Sequence, residues 1–148
     1  MARIQIKNQQ EVIRIELPLI RKTVNAILDA LALSRAEVSI LLLDDAGITS
    51  LNEQYLKKTG PTDVISFPMH NGAFPAVQPN LLGDIAISVP TAQRQADGRN
   101  VTLHEEMAGL FIHGILHLLG YGHELSASDS RRMKAKQREV LAQVLKKT

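Results

Sequence analysis

Thr102-Leu103-His104-Glu105-Glu106-Met107-Ala108-Gly109-Leu110-Phe111-Ile112-His113-Gly114-Ile115-Leu116-His117-Leu118-Leu119-Gly120 is the stretch on which the reading of this chain turns. Thr102 followed three residues later by Glu105 has the form of a capping box, which starts a helix. The residues that follow are apolar nearly all round, so this helix is expected to be central and buried. Gly120 can take positive φ and end it. His113 and His117 interrupt the apolar run, and four residues apart they share one helical face. A buried imidazole without a partner costs roughly 1–3 kcal/mol. Tyr121 and Gly122 then turn the chain to bring in His123. Three imidazoles with one open position are the layout of a catalytic zinc site. Gly109 and Gly114 sit mid-helix, where glycine costs roughly 1 kcal/mol relative to alanine. They are read as letting a backbone or a substrate approach closely.

Working outward, Arg3 to Ile6 alternates as a strand does, and Leu17 to Leu33 has a helical apolar stripe at Ile20, Val24, Ile27, Leu28 and Leu31. Glu37 to Leu43 reads as a strand, with Asp44 or Asp45 capping a helix to about Leu56. Thr62 to Pro68 reads as a strand and Met69 to Leu82 as a loop, since it holds Asn71-Gly72, Pro75 and Pro79. Gly83 to Val89 is a further strand. Pro90 opens a short helix to about Ala96. Ser126 can cap a last helix to about Lys147, with Met133, Val140, Leu141, Val144 and Leu145 as its apolar positions. The order is βαβαββααα. The expected fold class is α+β: helices on one small mixed sheet, with a zincin-like three-histidine site at the end of a central helix.

At 148 residues the chain is read as one domain, 1–148. It has no cysteine, which excludes disulfides and thiolate-bound metal. No signal peptide and no membrane span are read, and the expected location is the cytoplasm. A net charge of +2 permits a nucleic-acid partner without demanding one. Aromatic residues are only 3%, which argues against a platform that stacks many bases.

The spacing of the histidines equals that of metzincin proteases, which place a glutamate base directly after the first histidine. Here that position is Gly114. Three neutral imidazoles leave a bound divalent ion at about +2, which suits an anionic substrate, a phosphodiester especially. A metalloprotease or another metal hydrolase stands as the alternative. So does an RNA-binding, ribosome-associated protein with a structural metal.

His113 to His123 resembles the His-Gly-x-Leu-His-Leu-x-Gly-Tyr-Asp-His signature of the YbeY family, metal-dependent endoribonucleases implicated in ribosomal RNA maturation. Asn52-x-x-Tyr55, Pro61-Thr62-Asp63-Val64-Ile65-Ser66-Phe67-Pro68 and Gly83-Asp84-Ile85-x-Ile87-Ser88 follow the same family pattern. The resemblance runs from about residue 36 to 124. It implies one zinc ion, or another divalent transition metal, on His113, His117 and His123. It also implies cleavage of single-stranded RNA in small-subunit rRNA processing, with the small ribosomal subunit or its assembly factors as partners. Two positions depart from the pattern. Gly122 stands where the family has aspartate, and Leu56 where many members carry arginine. Lys57 and Lys58 follow at once and either supply positive charge or are ordinary surface lysines. Lys57, Asp63 and Ser66 are carried as candidate catalytic residues. Asp84 is read as satisfying a strand end, and His70 and His104, the latter taken as exposed, are given no role. The basic stretch Arg131-Arg132-Met133-Lys134-Ala135-Lys136 is read as a solvated helix face.

Overall fold

Alternation in the strands and a 3.6-residue period in the helices set two faces on one sheet. The computed structural model describes residues 2–69, 80–121 and 126–148. Its elements run β1 (Arg3–Asn8), α1 (Leu17–Ala30), β2 (Glu37–Leu43), α2 (Asp45–Leu56), β3 (Val64–Pro68), β4 (Leu81–Ser88), α3 (Val89–Arg99), α4 (Leu103–Leu118) and α5 (Ala127–Lys147). The sheet order is β1-β2-β4-β3. β1, β2 and β4 are parallel, and β3 pairs antiparallel to β4, with Ser66 opposite Ile85 and Phe67 opposite Asp84.

Ile4, Val38, Ile40, Leu42, Ile85 and Ile87 point to one face and share a core with Val24, Ile27 and Leu28 of α1 and Phe111, Ile112, Ile115 and Leu116 of α4. Burying each such side chain is worth about 1.5–3 kcal/mol. The other face is thinner: Leu43, Ile65 and Ala86 pack with Ile48 of α2. α4 is central, as its composition requires.

The element order and the mixed sheet are as expected, and several boundaries move. α1 stops at Ala30, short of Leu33, because the chain turns at Ala32 with φ 58°. β4 begins at Leu81, where Glu37 of β2 already offers it a partner. α3 extends past Ala96 to Arg99 and ends on Asn100 in the left-handed region. The caps are those expected: Asp44 accepts from the Gly47 N–H, Thr102 from Glu105 and Ser126 from Asp129. Gly120 has φ 103°. His104 is half-buried rather than exposed, its Nε2 lying 3.0 Å from Thr148 Oγ1 at the end of α5. Most of the loop expected at residues 69–82, with His70, lies outside the described residues, as do Gly122 and His123. Among the described residues no helix is long and apolar enough to cross a membrane.

Two local devices hold the layers. Gly83 has φ 143°, and a Cβ there would stand 2.2 Å from the Phe67 carbonyl oxygen of the neighbouring strand. Gly83→Ala is therefore expected to cost about 2–3 kcal/mol, a fall of about 5–10 °C in Tm, read by thermal melting. The second device is Asp45, which accepts hydrogen bonds from Ser88 Oγ (2.6 Å), Thr91 Oγ1 (2.7 Å) and Arg94 Nη2 (2.8 Å). It ties the start of α2 to the β4–α3 junction. The Ser88 and Thr91 hydroxyls, and then Arg94, hold its carboxyl below the usual carboxylate range. A group depressed in the folded state stabilises fully above its unfolded pKa, and that stabilisation is lost as pH falls through the folded-state value. Asp45→Asn is expected to lower Tm at pH 7, with the gap to wild type closing in acid. A gap independent of pH contradicts this.

Candidate functional site

α4 buries almost every position after its first turn, and its exceptions are Gly109, His113 and His117. With Glu105 they repeat every four residues, so they form one line along the helix that reaches solvent. The two histidines meet at the C-terminal end of that line. Their rings are edge to face, with centroids 4.5 Å apart and Nε2 atoms 3.0 Å apart. His113 Nδ1 lies 3.2 Å from Oε1 of Gln137 on α5. An amide oxygen only accepts, so Nδ1 carries the proton and the Nε2 lone pair of His113 faces His117. In the protein alone His117 Nε2–H donates to it, and for His117 Nε2 to bind a metal that proton would have to move to Nδ1 or leave.

This arrangement fits a metal. Two nitrogens bound to one tetrahedral zinc, each about 2.0–2.1 Å away, stand roughly 3.3–3.4 Å apart. A few tenths of an ångström of opening reaches that distance. Ligating histidines characteristically donate their second N–H to an oxygen, as His113 does to Gln137. Among the described residues no third His, Cys, Asp or Glu completes a metal-holding group. The third expected ligand, His123, falls outside them.

Gly114 explains how α4 is seated. A Cβ there would lie 3.2 Å from two carbons of Ile85 and 3.2 Å from Ser66 Oγ. The missing side chain thus lets the sheet approach the helix, and the Ser66 hydroxyl donates to the Gly114 carbonyl at 3.1 Å. Gly109 differs, since a Cβ on it would meet nothing within 4 Å. It borders a polar pocket of about 270 Å³ that also takes in Asp63, Glu105, His113 and Gln137. Glu106, buried in that wall, pairs with Arg99 at 3.6 Å.

The remaining candidates are spread over both faces. Asp63 shares the pocket with His113, and its oxygens accept from the Val64 N–H (2.7 Å) and Gln95 Nε2 (3.3 Å). Lys57 is exposed and caps α2 in the left-handed conformation. Leu56, 43% exposed, ends that helix. Asn52, 4% exposed, donates to the Gly60 carbonyl and so pins the loop that leads into β3. Tyr55 packs edge-on against Phe67, with ring centroids 5.7 Å apart. Tyr55, Phe67, Lys7 and Asp84 border an open cavity of about 520 Å³ on the sheet face away from α4. Asp84 is exposed there. Gln137 was missed by the sequence reading. Its signal is weak but present: it is the polar member of the register Met133, Gln137, Val140, Val144, in which the other three are buried.

Comparison with known proteins agrees with this architecture. The family model described as Endoribonuclease YbeY matches residues 5–145. An Endoribonuclease YbeY of Geobacter metallireducens is 43% identical over 95% of this chain and 94% of its own length. Its counterpart in Syntrophotalea carbinolica is 39% identical over 97% of each chain. The solution structure of a Thermotoga maritima protein superposes with TM-score 0.67 at 26% identity, covering 97% of this chain and 89% of the other. The match spans sheet, helices and histidine helix together, and on it the chain belongs to the YbeY family of endoribonucleases.

Proposed function

We propose that this chain is a zinc-dependent endoribonuclease that cuts single-stranded RNA in the cytoplasm during ribosomal RNA maturation, on the small ribosomal subunit or its precursors. The observation that carries the reading is the pair of Nε2 atoms facing each other at 3.0 Å, with His113 Nδ1 held by Gln137, in a chain of this family. His113 and His117, with His123 as third ligand, are the residues that hold the metal. A divalent ion bound by them supplies Lewis acidity to a phosphodiester oxygen or to water.

The chain's own residues supply the rest. Gln137 fixes the His113 tautomer so that its lone pair points to the site. Ser66 acts by holding the Gly114 carbonyl, which seats the histidine helix on the sheet. Asp63 borders the same pocket as His113, which supports it as a carboxylate to receive a proton there. Lys57 offers a point charge next to Leu56, where the family pattern has arginine. The protease alternative is opposed by the residue itself: Gly114 occupies the position of the protease glutamate and carries no base, and a Cβ there would lie 3.2 Å from Ile85 and Ser66, so that a side chain requires them to give way.

His117→Ala is expected to lose the metal, read by elemental analysis of the purified protein. Cleavage of a single-stranded RNA should fall by more than ~100-fold. A variant without metal that cuts RNA at the wild-type rate overturns the proposal. Gln137→Leu should weaken zinc affinity by about 10–100-fold in competition with a chelator, while Gln137→Glu, which keeps an acceptor, should restore it. Equal affinities in all three proteins would remove Gln137 from the site.

A further inference from the structure

α5 carries seven Lys and Arg against two Asp and Glu, a net +5, in a chain whose total is +2, so the rest of the chain carries −3. The helix dipole accounts for Lys146 and Lys147, which sit in the last turn. It does not account for Arg131, Lys134 and Arg138. These three follow each other at i, i+3 and i+7, where like charges repel along a helix. All are exposed, and among the described residues none pairs with a carboxylate, whereas Lys136 on the other flank pairs with Glu139 at 3.7 Å.

Their place matters more than their number. The contacts of His113 with Gln137 and of His104 with Thr148 fix α4 and α5 as antiparallel neighbours. His117, one turn beyond His113, therefore stands level with Met133 and Lys134. At 100° per residue, Lys134, Arg138 and Arg131 lie about 60°, 100° and 120° around α5 from Gln137. That is the same flank as Leu141, which borders the His113 pocket together with Gln137. The three span about 10 Å along the axis, enough to meet two or three consecutive phosphates of one strand.

We propose that Arg131, Lys134 and Arg138 form a phosphate-binding rail that lays the backbone of a single RNA strand along α5 and past the His113–His117 pair. The proposal rests on the endoribonuclease reading and adds where the substrate lies and by which atoms it is held. Read from sequence alone, these charges are a solvated face; their position beside the histidines makes them a guide. With aromatic residues at 3%, grip through the backbone rather than through stacked bases is the expected mode, and binding should tolerate many sequences.

The test is the triple variant Arg131→Gln, Lys134→Gln, Arg138→Gln. A control triple, Arg132→Gln, Lys136→Gln, Lys147→Gln, removes the same charge from the other side of α5. Binding of a fluorescent single-stranded RNA oligonucleotide is measured against KCl concentration, and cleavage of the same RNA is followed. The rail variant should lose about 2 from the slope of log affinity against log salt, at about 0.7 per phosphate contact. Its KM should rise at least tenfold with kcat within twofold, and its Tm should not fall. The control should stay close to wild type. Unchanged slope and KM in the rail variant, or equal losses in the control, overturn the proposal. So does binding of poly-glutamate that competes with RNA and depends equally on the rail. Wild-type protein that binds RNA through the rail and does not cut it leaves the rail standing and overturns the endoribonuclease reading. Wild-type cleavage with an indifferent rail variant overturns the rail alone.

Discussion

Two imidazoles stand with their Nε2 atoms 3.0 Å apart on a helix that buries almost every other position after its first turn, and every ring nitrogen there needs a partner. That requirement organises the neighbourhood of α4. Gln137 answers one nitrogen from α5. The two Nε2 atoms answer each other at 3.0 Å. Gly114 and Ser66 bring the sheet close enough to hold the helix in place. The pocket along Glu105, Gly109 and His113 is the solvent-facing side of the same helix. Core, sheet edge and last helix thus converge on the line of α4 that is left open to water.

Where one physical signal dominates, the sequence is easily read. Thr102 and Gly120 bound α4 by capping and by positive φ, and both act as those residue types require. The strands of β1, β2 and β4 follow from β-branched and alternating residues. The mixed sheet order was beyond the sequence in detail, because pairing depends on which crossovers the helices permit. Boundaries shifted where tertiary partners outweigh local propensity: Leu81 joins β4 because Glu37 lies beside it, and α3 runs through Gly98 to Arg99.

The candidate site was half legible. His113 and His117 announced themselves because polar residues at helical spacing inside an apolar run need an explanation. Gln137 did not, since a contact across 24 residues leaves no local trace. The role of Gly114 was legible only in part. Its lack of a side chain pointed to a close approach, but that the approaching group is Ile85 and Ser66 needed the fold. Ser66 looked equally suited to chemistry and to structure, and its hydrogen bond to the Gly114 carbonyl gives it a seat in the structure.

In the proposed metal site His113 and His117 present their Nε2 lone pairs to one metal ion, with the His113 Nδ1–H held by Gln137. Long-range proton–nitrogen NMR of the imidazoles during titration with zinc tests it most directly. Both Nε2 resonances are expected to move to the metal-bound range at one equivalent, while Nδ1 of His113 keeps its proton. Histidine signals indifferent to zinc, or metal entering at Nδ1 of His113, would contradict it.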